Sequence, residues 1–135
     1  MKGETLLHRQ IHPSWVQNDS ISSQAFLTEN NIASLSFIPS EKDENRLSVY
    51  NGKKFTAEQS FTHFTNNFIS TGVLSVSLDE INMIGDLTVE EDNNPFDGHT
   101  VIDYSNVISA TQVKKKAKKL KNIAVARGWT HKKDL

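Results

Sequence analysis

Near the carboxy end of the chain, Val113, Ala117, Leu120 and Ala124 recur at helical spacing inside a run dense in lysine. A helix with one apolar stripe needs a core to cover that stripe. Ser109 or Thr111 stands where an N-cap is wanted and Gly128 where a left-handed terminal residue is wanted, so the spacing predicts a basic helix over residues 110–127. At 100° per residue, Lys114, Lys115, Lys118, Lys119 and Lys121 fall on the arc opposite the stripe, with Lys116 at its border.

The lysines dominate the charge balance. From Gln112 to the end there are nine Lys or Arg and one acid, whereas the first 111 residues carry 6 basic and 15 acidic groups, and the total is −1. Separation of sign within one chain speaks to partners rather than to fold. Lys114/Lys118 and Lys115/Lys119 are like-charge i,i+4 pairs, each costing about 0.2–0.5 kcal/mol in an isolated helix. The face therefore predicts an anionic counterpart: the protein's own acidic body, a second copy, another protein, or nucleic acid contacted without sequence readout. No aromatics are interleaved with the lysines and the domain as a whole is not basic, which weakens the nucleic-acid reading. Facing the lysines are alanines and branched aliphatics rather than large apolar groups, which argues against a membrane surface.

At 135 residues the chain is long enough for one domain, residues 1–135, with a modest core. The longest apolar stretch is far short of a membrane span, and the first twenty residues lack a secretory apolar run, so the expected location is cytoplasmic. Without cysteine there is no disulfide, thiolate metal site or cysteine nucleophile, and the Asn18-Asp19-Ser20 glycosylation triplet reads as chance.

Residues 1–20, with Pro13 after His12, read as an extended arm. Alternation predicts strands at residues 32–38, 47–50, 72–78, 86–90 and 100–104, with a charged loop over 40–45. Asn51-Gly52 is a hairpin signal. Thr56 and Gln59 form a capping box ahead of Ala57, Phe61, Phe64 and Phe68, which predicts an amphipathic helix ending between residues 69 and 72 with its phenylalanines in the core. Asp79 could cap a helical turn before Gly85. The expected class is α+β: a small mixed or antiparallel sheet of about five strands with two amphipathic helices.

Two polar clusters carry candidate chemistry. His8, Arg9, His12 and Trp15 fall within eight residues, and His8 and His12 share a face if the arm is extended. The second cluster runs from Asp92 through Asn93, Asn94, Pro95, Phe96, Asp97 and Gly98 to His99, with Asp103 beyond. It is turn-forming chemistry first, and a catalytic or metal-binding one only if His12 and His99 converge with Asp97 or Asp103. His63, opposite the phenylalanine stripe, reads as solvent-facing, and His131 as part of a fraying tail. There is no phosphate loop, nucleophile elbow, dinucleotide fingerprint or metal motif, and no cofactor or metal is expected.

The run from Leu7 to Gln17 (LHRQIHPSWVQ), with Ser23 to Phe26 (SQAF), Leu47 to Tyr50 (LSVY) and Ala126 to Trp129 (ARGW), resembles a group of small uncharacterised bacterial proteins. The resemblance implies a bacterial intracellular origin and carries over no activity, cofactor or partner.

The expectation is a protein-interaction module, an accessory or inhibitory subunit that docks another protein or a second copy of itself through Lys114, Lys115, Lys118, Lys119, Lys121 and Trp15. The alternative is a histidine-dependent hydrolase or nuclease acting on an anionic substrate with His8, Arg9, His12 and His99. Non-specific nucleic-acid binding by the lysine helix is the third.

Overall fold

The computed structural model describes residues 1–16, 32–39 and 44–133. The Asn18 triplet, the Ser23 to Phe26 run and part of the charged loop lie outside the described residues. Six strands, β1 (Leu6–Ile11), β2 (Arg46–Asn51), β3 (Gly72–Ser77), β4 (Thr88–Glu90), β5 (His99–Asp103) and β6 (His131–Lys132), form one antiparallel sheet in the order β4-β5-β2-β1-β3-β6. Three helices accompany it: α1 (Ala57–Thr65), α2 (Leu78–Ile84) and α3 (Ala110–Arg127). The α+β class expected from the alternation is what forms.

Alternation along the strands gives the sheet two unlike faces. On one, Leu7, Ile11, Leu47, Leu74, Val76 and Ile102 close over Ala117, Leu120 and Ala124 of α3 to form the apolar core. Phe37 joins this core, and its carbonyl accepts the Tyr104 hydroxyl at 2.7 Å. On the other face stand His8, Gln10, Tyr50 and Ser75, and α1 lies over it, with Ser60 bonded to Gln10 and His63 to Tyr50.

The first twenty residues contain more structure than an arm. Leu6–Ile11 is extended, but it pairs with β3 along its whole length and with β2 at its start, which places it inside the sheet. The strand expected over residues 32–38 does not form: Ser34–Phe37 is a 3₁₀ turn, and Ile32 makes only an isolated bridge to Val16. Ser36 and Phe37 are both fully buried while Leu35 is 56% exposed, a pattern that adjacent residues of a half-buried strand cannot have. The Ser36 hydroxyl donates to the Ala33 carbonyl at 2.7 Å and closes the turn locally.

Asn51-Gly52 turns the chain, but into α1 rather than into a returning strand. Neither residue has the positive φ that a two-residue hairpin of this composition requires. Gly52 is needed for another reason: its N–H donates to the Leu6 carbonyl at 2.7 Å, and a Cβ there would sit 2.2 Å from that oxygen. The capping box at Thr56 and Gln59 is present, yet α1 ends at Thr65, short of the expected boundary. A second capping box, Ser77 with Glu80, starts α2 in place of Asp79, and Gly85 ends it at φ 86°.

The basic helix spans the expected residues, capped by Ser109 and ended by Gly128 at φ 91°. Arg127 donates to both carboxylate oxygens of Glu80 at 2.8 and 3.0 Å, tying the end of α3 to the start of α2. Although partial burial favours the neutral acid, those bonds hold the Glu80 carboxyl below the usual range. His131 belongs to β6 and packs its ring 4.8 Å from that of Phe61, so it is not a frayed end. Among the described residues no helix is long and apolar enough to cross a membrane.

Candidate active site

Strands β1 and β2 are each six residues long but pair only at Leu7 with Asn51 and His8 with Tyr50. Beyond that point no ladder joins Gln10 to Ser48. Arg9 bridges the gap: its Nη1 donates to the Ser48 carbonyl at 2.9 Å and its Nε to the Ser36 carbonyl at 2.8 Å, with the guanidinium 5.2 Å above the Trp15 ring. A cavity of about 540 Å³ opens here, with Arg9, Gln10 and His12 on one side and Ser48 and Tyr50 on the other. Its remaining walls come from the end of α1, from the loop that carries Phe96 and from His99 at the start of β5. Its volume is that of a small-molecule site.

His99 is the best-organised polar group in the cavity. Its Nδ1 lies 2.6 Å from Asp92 Oδ1 and its Nε2 3.2 Å from the Ser48 hydroxyl. An ionised carboxylate only accepts, so Nδ1 carries the proton and donates to Asp92. In the neutral ring Nε2 is then an acceptor, and Ser48 O–H donates to it. Ser48, His99 and Asp92 thus form a hydroxyl–imidazole–carboxylate chain. The sheet register sets it up: Tyr50 faces His99 across β2 and β5, and Ser48 lies two residues before Tyr50 on the same face.

His12 caps the 3₁₀ turn Pro13–Trp15, its Nδ1 accepting the Ser14 backbone N–H at 3.0 Å. The neutral ring therefore carries its proton on Nε2. The third imidazole is His63, with Nδ1 2.8 Å from the Tyr50 hydroxyl. Burial raises the Tyr50 phenol to about 12, so its hydroxyl stays protonated in its hydrogen bond with His63 Nδ1. Tyr50 stacks on Phe96 with centroids 5.0 Å apart, and Phe96 meets the His63 ring at 4.4 Å.

The structure thus brings together three of the four candidate catalytic residues, Arg9, His12 and His99, and leaves His8 out. His8 lies under α1, with Nδ1 bonded to Ser75 Oγ at 2.7 Å and Nε2 to the Phe55 carbonyl at 3.1 Å. Burial lowers its pKa, and the bond to the Phe55 carbonyl opposes this only in part. The carboxylates named from sequence also differ: Asp97 pairs with Lys54 and Asp103 accepts from the Ser105 backbone, while Asp92 holds the histidine. Arg9 directs its guanidinium onto two backbone carbonyls and the Trp15 ring.

Trp15, expected on a docking surface, lines the cavity beneath Arg9. The phenylalanine stripe is corrected as well. Ser60 is the buried residue of α1, whereas Phe64 is half-buried, Phe68 is 65% exposed, and both line the cavity with His63. Of the lysines, Lys114, Lys115, Lys118 and Lys119 are exposed, and among the described residues they make no ion pair. Lys121 is buried against the expectation of a solvent arc, and its pKa is lowered by that burial and by Lys118. Lys116 is buried too, its ammonium 3.3 Å from the Ile84 carbonyl and 3.7 Å from Asp86.

Among the described residues no three His, Asp or Glu side chains gather as a metal site. The chain matches no family model, no curated protein and no solved structure. Sequence reasoning missed Ser48, Tyr50, His63 and Phe96 as site residues. For Ser48 and Tyr50 the only signal was a strand pattern; what brings them to the cavity beside His99 is the register of β2 against β5.

Proposed function

We propose that the protein is a serine hydrolase of carboxylic esters, with Ser48 as nucleophile, His99 as general base and Asp92 orienting the base. The supporting observation is the Ser48–His99–Asp92 hydrogen-bonded chain opening on a cavity of small-molecule size. Triads of this kind are recognised by geometry and roles rather than by order in the chain.

In the first step Ser48 Oγ attacks the ester carbonyl while its proton passes to His99 Nε2, with Asp92 providing the counter-charge for the imidazolium. The carbon–oxygen bond to the alcohol breaks, the alcohol takes that proton from His99, and the acyl group stays on Ser48. Water then attacks the acyl-serine, giving its proton to His99. The bond between the acyl carbon and Ser48 Oγ then breaks as His99 returns that proton to Oγ, so the carboxylic acid departs and Ser48 is regenerated.

The carbonyl oxygen needs donors as it gains charge. In an antiparallel strand a residue's N–H and C=O leave on the same side. The Ser48 carbonyl points to Arg9, so the Ser48 N–H points into the gap between β1 and β2 and becomes the expected oxyanion donor. Arg9 is a positioning residue that fixes this stretch of β2.

The test is hydrolysis of p-nitrophenyl acetate together with active-site labelling by a fluorophosphonate. Ser48→Ala and His99→Gln are expected to lower kcat by about 10⁶, and Asp92→Asn by about 10⁴, with the label carried on Ser48 of the wild type alone. Turnover unchanged in Ser48→Ala, with no label at Ser48, would refute the assignment.

A docking role for α3 is a separate proposal, supported by the exposure of Lys114, Lys115, Lys118 and Lys119. It is independent of the cavity, because α3 covers the apolar face of the sheet while Ser48, Tyr50 and His99 project from the other.

A further inference from the structure

Resting on the hydrolase reading above, we infer that the preferred substrates are neutral arylalkyl esters, their flat ring held between two aromatic pairs that line the cavity. One pair is Tyr50 and Phe96, stacked at 5.0 Å with 28° between planes. The other is Phe64 and Phe68, stacked at 5.1 Å with 29° between planes. They come from separate elements, Tyr50 from β2 and Phe96 from the loop between β4 and β5, Phe64 from α1 and Phe68 from its exit, and all four residues line the same space as Ser48 and His99.

The exposure of this wall is what calls for a ligand. Phe68 is 65% and Ile69 63% exposed, although α1 is the element whose phenylalanines were expected in the core. Large apolar groups left open beside a cavity mark a binding surface more often than a folding one. A ring added between stacked pairs gains offset or edge contacts at centroid separations of about 4.5–7 Å, which an aliphatic chain of equal area does not. The Tyr50 hydroxyl is engaged by His63 and its ring is buried against Phe55 and Phe96, so Tyr50 backs the Phe96 ring that faces the cavity. Among the described residues no carboxylate lines the cavity, so nothing there favours a cationic ligand, and the one guanidinium is directed onto backbone carbonyls.

Binding is separated from chemistry by using an alcohol that cannot be cleaved. Saturable binding of 2-phenylethanol to the wild-type protein is followed by Trp15 fluorescence or ligand-observed NMR, with hexan-1-ol as the aliphatic comparison. The expected result is at least fivefold tighter binding of 2-phenylethanol, reduced about fivefold or more by Phe68→Ala. Phe64→Leu, a milder change at a half-buried position, should reduce it in the same direction. In hydrolysis, 2-phenylethyl acetate should exceed hexyl acetate in kcat/KM by a similar factor. Equal binding of the two alcohols, or no saturable binding of either, overturns the aromatic slot even if esterase activity is present. Selective binding of 2-phenylethanol without hydrolysis of either ester supports the slot and overturns the hydrolase reading instead.

Discussion

His8 and His99 are both imidazoles bonded to a serine hydroxyl, and they differ in what stands behind the ring. Behind His99 is the Asp92 carboxylate, which can balance an imidazolium; behind His8 is the Phe55 carbonyl in a buried setting. The first arrangement suits the proposed general base, and the second favours the neutral ring. A histidine whose folded pKa lies below the unfolded value of 6.5 binds fewer protons when folded than when unfolded. Its contribution is therefore complete above pH 6.5 and is lost as pH falls from there through the folded value. Urea denaturation between pH 7.5 and 5 should show stability falling with a His8 component of at most about 1.4 kcal/mol per pH unit. His8→Gln should remove that component, and an unchanged profile in the variant would show that His8 is not the group responsible. At this scale the sequence offered the right residue types but could not rank them. His8 and His12 looked equivalent four positions apart, yet β1 ends at Ile11, so one was buried in the sheet and the other freed to cap a turn.

For the elements, local signals read well where the element satisfies itself and poorly where a neighbour completes it. The α3 boundaries follow from Ser109, the apolar stripe and Gly128, all short-range features. The length of α1 does not: its stripe continues past Thr65, but beyond it Phe68 walls a cavity instead of meeting a core. The exposed lysines of α3 allow a test of why they are there. Lys115→Glu replaces a like-charge i,i+4 pair with a Glu–Lys pair in the favourable order, so the variant should be more stable by about 0.4–1 kcal/mol in urea denaturation. A gain in stability fits a face kept for an anionic surface at a cost to the fold. A loss would mean that the lysines serve the helix itself and would count against docking.

Across the whole molecule, the proposed site is assembled from Arg9 and His12, Ser48 and Tyr50, His63 to Ile69, and Asp92 to His99, with no stretch able to hold its geometry alone. Esterase activity and far-UV circular dichroism should accordingly disappear in one coincident urea transition, as for a two-state domain. Activity lost well before the sheet unfolds would show that the Phe96 loop opens independently. By itself the amino-acid sequence determined the α+β class, the position of most strands, the caps of α1 and α3 and the concentration of positive charge on one helix, because each depends on periodicity or on contacts a few residues apart. The tertiary structure alone decided that β1 lies inside the sheet, that it parts from β2 after His8, and that Ser48, His99 and Asp92 meet at that gap. Strand partnership and register are long-range choices: they place side chains tens of residues apart within hydrogen-bond reach, and no local pattern in the chain records them.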